Sequence, residues 1–299
     1  MQEDTSKSYF FGKKILIGVS ASIAAYKIPD LVRLLVKKGA EVKIVLTRDA
    51  ASFVTPLTLS TVSKNDVIID FVDKESTKWN NHVELGLWAD IFLIAPATAN
   101  TLAKMANGLC DNILLATYLS SKCVVFCAPS MDRDMYLHRS TVKNLQILRK
   151  RGVNIIDAES GELASGLYGL GRMCDVEKII IKISNYLNNT LPLSGKKVLI
   201  TAGPTYEKID PVRFIGNFSS GKMGCELALN FANKGAKVNL VLGPSYENPI
   251  HENITIKRVE SAEQMHLVSL SIFERSNIVI ATAAVADYKP KNKFTEKYK

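Results

Sequence analysis

Five stretches in the first 172 residues carry side chains able to bind or transform a small anionic molecule. "GVSASIAAYK" (18–27) offers Ser20 and Ser22 where a helix would begin. Unpaired N–H groups and the helix dipole favour an anion there, with the hydroxyls as added donors. The same serines serve equally well as helix caps, and both readings stand. Thr47 in "LTRDA" lies at the next strand end, within reach of the same phosphate. His82 precedes a helix-like stretch, and "PATANT" (96–101) closes a strand. A histidine can carry a proton near neutral pH, yet spacing alone does not separate that role from an ordinary surface one. "PSMDRDM" (129–135) adds Met131, Asp132 and Arg133. "GELASGLYGLGR" (161–172) sets Ser165 among four glycines. No helix pattern starts in it and the glycines lack dinucleotide spacing, so it is no nucleotide turn; a linker and a flap able to fold over and reopen both stay open.

The second half holds a parallel set: "TAGPT" (201–205), "DPVRFIGN" ending at Asn217, "SSGKMG" (219–224) and "ATAAVADY" (281–288). The Ser-Ser-Gly stretch is no P-loop, because Met223 follows Lys222 where that motif needs Ser or Thr. It still opens a helix, so a phosphate cradle is possible. "KPKNKFTEKYK" (289–299), taken by itself, reads as a solvated basic tail.

Elements of one kind must position these groups. Residues 13–46 and 196–242 share one grammar: a basic pair, a short apolar strand, a Gly/Ser/Thr turn, an amphipathic helix, Lys-Gly-Ala and a second strand. Gly39 and Gly235 are helix terminators by position. Short continuous apolar runs suit strands buried on both faces of a parallel sheet. The expected fold is α/β, with two tandem doubly wound (Rossmann-like) domains. Further strands are expected at 91–95, 123–127, 153–156, 254–258 and 277–282, and the boundary near "NNTLPLSG" (188–195), giving domains 1–192 and 193–299. Ligands in such sheets sit outside the carboxyl ends of the strands, where all the unusual loops fall.

With 299 residues, 47% hydrophobic and 22% charged, the chain is globular and long enough for two cores. Its net charge of +9 comes from scattered lysines without interleaved aromatics, which speaks against nucleic acid and for small anions. The five cysteines have neither disulfide-framework nor metal-site spacing, so no protein-held metal is expected. With neither a signal-peptide pattern nor a long apolar run, a cytoplasmic protein without membrane contact is expected.

"PATANT", the upstream His82, "PSMDRDM" and the Gly-rich lid, in this order, resemble the flavin-dependent cysteine decarboxylase family. The resemblance implies a flavodoxin-like first domain binding FMN through Ser20, Ser22, Thr47, Pro96, Ala97, Thr98, Asn100 and Met131, with His82 as the oxidising base. It also implies that Asp132 meets the substrate and that residues 161–172 clamp over it. "TAGPT", "DPVRFIGN", "SSGKMG" and "ATAAVADY" resemble the phosphopantothenate–cysteine ligase domain. There Asn217 would hold an acyl-cytidylate, Ala281, Thr282, Ala283 and Asp287 would line the CTP turn, and Lys297 would begin a triphosphate flap with Mg²⁺ on the nucleotide. Together the motifs resemble the bifunctional coenzyme A biosynthesis family. Its implied chemistry joins 4′-phosphopantothenate to cysteine with CTP and decarboxylates the resulting 4′-phosphopantothenoylcysteine. Its implied assembly is a homo-oligomer, trimer-based and up to a dodecamer, with FMN at subunit boundaries.

Three departures qualify the resemblance. Ser165 stands where the family's lid has a proton-donating cysteine, and an alkyl hydroxyl is a far weaker acid than a thiol. Asp132 stands where the family has an asparagine that donates to the substrate carboxylate. An ionised aspartate repels that carboxylate unless it is protonated or offset by Arg133 or Arg172. The ligase domain it resembles runs roughly another hundred residues past Lys299, so that part is expected to be incomplete. Two other readings remain: a lantibiotic-type peptidyl-cysteine decarboxylase, which Ser165 favours, and a non-catalytic flavin-binding subunit.

Overall fold

The structure, a computed structural model, describes residues 8–72 and 79–297. Its contacts gather into two units, Met1–Ser184 and Asn185–Lys299. The division falls within a helix, a few residues before the polar stretch expected to mark it.

The first unit alternates strand and helix. β1 (Lys14–Val19), α1 (Ile28–Lys37), β2 (Glu41–Leu46), α2 (Pro56–Ser63) and β3 (Val67–Ile68) build one half. α3 (His82–Trp88), β4 (Ile91–Ala97), α4 (Ala99–Asn107), α5 (Ile113–Ser120), β5 (Val124–Pro129), α6 (Arg133–Leu137), α7 (Arg139–Lys150) and β6 (Asn154–Ile155) build the other. The hairpin β7 (Glu159–Glu162) and β8 (Tyr168–Arg172) follows, then α8 (Val176–Asn189). The strands lie in the order β3-β2-β1-β4-β5-β6, every pair parallel. β4 is buried at all seven positions because helices cover both faces of the sheet. α1 ends at Lys37, and Gly39 takes φ +86° in the turn to β2, the left-handed step that only glycine makes cheaply. Chain order reverses between β1 and β4. That switch point opens a crevice at the carboxyl ends of the two strands.

The second unit repeats the plan on a smaller scale. β9 (Lys197–Ala202), the short hairpin β10 (Tyr206–Lys208) and β11 (Phe214–Gly216), α9 (Lys222–Asn233), β12 (Lys237–Leu242), β13 (Ile254–Arg258), α10 (Ala262–Phe273) and β14 (Ile278–Ala281) follow in order. The parallel sheet runs β13-β12-β9-β14, so its switch point lies between β9 and β14. Side chains alternate across it. Val198 and Ile200 join Ala228 and Ala232 of α9, while Leu199 and Val241 join Met265 and Ile272 of α10.

The strands expected at 91–95, 123–127 and 277–282 occur within a residue or two, and 254–258 is matched. "PATANT" is not a loop. Pro96 and Ala97 finish β4, Thr98 caps α4, and Asn100 lies in its first turn. The glycine-rich lid is a defined antiparallel hairpin. Among the described residues no helix is long and apolar enough to cross a membrane.

Candidate active site

The β1/β4 crevice is held together by one side chain. Ser20, 2% exposed, donates to the Pro96 carbonyl at 2.7 Å and accepts from the Thr98 N–H at 3.1 Å. Its backbone N–H also donates to Pro96, at 3.3 Å. Beyond this stitch the chain enters a 3-10 turn, Ile23–Lys27, where Ser22 accepts from the Ala24 N–H and shares a 3.0 Å hydrogen bond with Ser130. Ser130 follows β5, and its N–H donates to the Ala97 carbonyl at 3.0 Å. Thr98 accepts from Thr101 N–H at 3.3 Å and caps α4. Hydroxyls from three strand ends therefore converge beside helix N-termini, whose first-turn N–H groups have no intrahelical partner.

The cleft they border has a volume of about 750 Å³, and Ser22, Thr98, Asn100, Ser130, Met131 and Asp132 line it. Glu162, Leu163 and Ala164 of the hairpin line it from the lid side. The hairpin is docked on the 131–133 segment. Met131 N–H donates to Gly171 at 3.0 Å. Gly171 has φ +147°, and a Cβ there would run into the Met131 carbonyl oxygen. At the tip, Gly166 (φ +80°) donates to Leu163 at 2.9 Å, a tight turn that presents Ser165. The Ser165 hydroxyl donates to Asp132 Oδ2 in a short hydrogen bond. The two residues that depart from the family pattern thus meet each other.

Charge in the cleft is partly neutralised from within. Lys27 and Arg172 both line it, and both pair with Asp175, at 2.7 and 2.9 Å. The hydrogen bond from Lys27, more than any other contact, holds the Asp175 carboxyl below its usual range. Behind the hairpin, Lys178 lies 2.8 Å from Glu159 and lowers its carboxyl in the same way. Burial, reinforced by the Glu159 carboxylate that it touches, pushes the Cys174 thiol up to about 11.

His82 does not line this cleft. It begins α3 with its ring edge-on to Phe71 and Trp79, at 5.9 and 6.4 Å between centroids. Its Nδ1 is buried without a hydrogen-bond partner among the described residues, a polar atom left unsatisfied. Thr47 is half-buried; its N–H donates to Val19 and its side chain makes no capping bond. Ser130, Lys27 and Asp175 are the additions the structure makes. Ser130 has a sequence signal, its place just past a strand end. Lys27 and Asp175 have none, since 148 residues separate them.

In the second unit the switch point is stitched by Thr282, whose N–H and hydroxyl both donate to the Thr201 carbonyl, at 3.0 and 2.7 Å. Ala284 N–H continues the pairing to Gly203, and Ala286 N–H donates to the buried Thr205 hydroxyl at 2.9 Å. Asn217 reaches the same loop, donating to the Val285 carbonyl at 2.8 Å. Asn217, Ala281, Thr282 and Ala283 are thus brought to one strand-end rim. Asp287 and Lys297 are exposed, with no hydrogen bond or ion pair to another described residue. Gly221, at φ +77°, starts α9 against Gly203 and Ser245. Among the described residues no cluster of three or more His, Cys, Asp or Glu side chains is arranged to hold a metal.

Residues 4–188 match the family described as Flavoprotein, and residues 193–299 the DNA/pantothenate metabolism flavoprotein C-terminal domain. A cysteine/cysteine sulfinic acid decarboxylase from an unknown prokaryotic organism is 52% identical over 241 residues, 79% of this chain and 67% of that protein. The coenzyme A biosynthesis bifunctional protein CoaBC of Haemophilus influenzae is 43% identical over 279 residues, 93% of this chain and 69% of that protein. Among solved structures, a PPC decarboxylase cysteine-to-serine mutant complexed with pantothenoylaminoethenethiol is 32% identical, with a TM-score of 0.53. It covers 58% of this chain and 98% of that one. With both halves matched in order, the chain belongs to the family of bifunctional coenzyme A biosynthesis flavoproteins.

Proposed function

We infer that residues 1–192 decarboxylate 4′-phosphopantothenoylcysteine with FMN, and that residues 193–299 belong to a CTP-dependent ligase joining 4′-phosphopantothenate to cysteine, both steps of coenzyme A biosynthesis. The observation that carries this reading is the roofed cleft at the β1/β4 switch point, with hydroxyls at its strand ends and Asp132 beneath the hairpin tip.

The residues present fit a flavin mononucleotide. A cleft of about 750 Å³ is of the size that cofactor sites occupy. Ser22, Ser130 and Thr98 would hold the phosphate, with Asn100 and Met131 against the remainder. When bound, FMN supplies a two-electron oxidation of the cysteine portion of the substrate and the later return of those electrons. The chain's own residues bind, orient and exclude water: the hairpin covers the cleft, Asp132 and Ser165 face the substrate, and Met131 fixes the lid. His82, outside the cleft of its own copy and with Nδ1 unsatisfied, would act on a neighbouring copy's substrate. That supports a homo-oligomer, which we take to be trimer-based and up to a dodecamer; a cytoplasmic location completes the proposed reading. On the ligase side, Asn217 and the 281–283 turn would hold the cytidylate, with Asp287 and Lys297 nearer the triphosphate and its Mg²⁺.

A second reading is favoured by the 52% identical relative: decarboxylation of a free small cysteine-type acid. Asp132 suits such a substrate, since a carboxylate accepts from an α-ammonium that an acylated cysteine lacks. One experiment separates the two. The purified protein is examined for bound flavin, and CO₂ release is compared between 4′-phosphopantothenoylcysteine, cysteine and cysteine sulfinate. Yellow protein turning over only the first is expected; turnover of only the free acids favours the second reading, and colourless protein that refuses FMN refutes both.

A further inference from the structure

The amino ends of the two parallel sheets are closed by the same contacts. Before β4, the Asp90 carboxylate accepts from the Lys14 N–H at 2.9 Å, and the Asp90 N–H donates to the Lys14 carbonyl at 2.8 Å. Before β14, Asn277 makes the same two bonds with Lys197, at 2.9 and 2.8 Å. This bracket aligns β1 with β9, β2 with β12, and the turn before β4 with the turn before β14. In the first unit the charges there are balanced. Lys14 and Lys43 stand over the Trp88 ring, 5.9 and 4.5 Å from its centroid, and Lys14 lies opposite Glu41 in the sheet. The second unit keeps the positions and changes the residues: Lys237 stands for Glu41, Asn239 for Lys43, Arg275 for Trp88 and Asn277 for Asp90. The aromatic ring and both acids are gone. Lys197 now lies opposite Lys237, a like-charge pair that a sheet does not gain from.

Register gathers these groups on one face. Asn239 pairs with Thr255 and Val241 with Lys257, and neighbours across parallel strands share a face. It is the face on which Leu199 and Val241 pack against Met265 and Ile272 of α10. Toward the strand starts from that contact lies a cavity of about 450 Å³, whose cations are Lys197, Lys237, Lys257 and Arg275. None of the four has an ion-pair partner among the described residues. Glu252 is the one acid among the described residues that line it. Cations held this close repel one another, so an anion that enters relieves a strain the fold otherwise carries.

We propose that this cavity binds a small molecule bearing a diphosphate or triphosphate, at the end of the second sheet remote from Asn217 and Thr282. One phosphate alone leaves most of that charge unanswered; two or three adjoining phosphates match it. Arg275 offers a fork that grips one phosphate with two N–H groups, while the lysines act as point charges on the next. The Asn239 amide and the Thr255 hydroxyl add neutral donors. The site depends on neither the decarboxylase nor the ligase reading.

The test locates the anion rather than merely detecting it. The full chain is titrated with inorganic tripolyphosphate at fixed ionic strength, and hydrogen exchange is followed peptide by peptide. Peptides covering 252–258 and 271–277 should be protected in wild type, with an affinity that falls as salt rises. Arg275→Trp restores the residue that the first unit has at this position, and Lys237→Glu restores its acid. Each should weaken binding at this site about tenfold or more. Both positions are exposed, so the melting temperature without anion should not fall. Any protection of peptides 217–224 and 281–288 should survive in both variants. Protection confined to those strand-end peptides overturns the inference and leaves the ligase reading standing. Absence of binding, equal protection by sulfate at the same ionic strength, or wild-type affinity in both variants overturns it as well.

Discussion

Replacing Gly171 by alanine should undock the hairpin while leaving the rest of the first unit folded. Two costs fall on the docked state. At φ +147° an L-residue lies where glycine alone is comfortable, a strain of about 1–3 kcal/mol. The new Cβ would also collide with the Met131 carbonyl oxygen, which is backbone and cannot rotate away. Relief requires β8 to move off the 131–133 segment, with loss of the 3.0 Å Met131–Gly171 hydrogen bond at about 0.5–1.5 kcal/mol. The sum, about 1.5–4.5 kcal/mol, shifts the docked–undocked equilibrium roughly 10- to 2,000-fold. Gly166→Ala is the internal control. Its φ of +80° carries a similar strain, about 1–2 kcal/mol, but a Cβ there meets open space and no docking bond is lost.

Hydrogen exchange on peptides spanning 159–172 measures the docked state directly. The expected order is wild type slowest, Gly166→Ala intermediate and Gly171→Ala fastest, with β1 and β4 peptides unchanged because the opening is local. Equal exchange in wild type and Gly171→Ala would refute the docking argument. A uniform rise across the unit would show that the hairpin is no separate element.

Three further outcomes follow from named contacts. Ser20→Ala strands the Thr98 N–H at the switch point and leaves the Pro96 carbonyl only the 3.3 Å bond from the Ser20 backbone N–H, costing about 1–3 kcal/mol, so the melting temperature without ligand should fall roughly 2–10 °C; unchanged melting with weakened ligand binding would return Ser20 to a phosphate role. The Asp175 carboxyl is lowered in the folded state, so its stabilisation is present above the unfolded value of about 4 and is lost as pH falls through the lower folded value. Melting curves between pH 6 and about 2 should therefore show a shallower acid decline in Asp175→Asn than in wild type. Cys110 is exposed, whereas burial pushes up the Cys127, Cys174 and Cys225 thiols, so an aromatic disulfide reagent should modify Cys110 first and the buried three only on unfolding.

The architecture was legible because both halves state it in the same residues. Continuous apolar runs such as Ile91–Ile94 admit only a doubly covered strand, and Gly39 and Gly235 end helices by a backbone step that other residues take at a cost. The segment over the cleft was legible as a cover but not as a hairpin. "GELASGLYGLGR" has too few β-branched residues to announce strands, and its pairing is set by docking on residues 131–133. The site was legible by motif and illegible by contact. Nothing local in the sequence says that Ser165 would bond to Asp132, 33 positions away. Nor does it say that Lys27 and Arg172 share one carboxylate.

The two switch points argue one further step. In each unit a hydroxyl residue that the sequence offers as a ligand group is spent on joining the strands that part there: Ser20 across β1 and β4, Thr282 across β9 and β14. A parallel sheet needs this, because at a switch point the loops diverge and leave backbone carbonyls and N–H groups without the next strand to pair them. On the proposed reading, anion binding would fall to what the stitch leaves free, namely first-turn N–H groups and the second hydroxyl along, Ser22 with Ser130 in the first unit. Substituting Ser22 should thus weaken a bound phosphate at little cost to folding, while substituting Ser20 should do the reverse. Comparing that pair of variants separates architecture from recognition at adjacent positions of one loop.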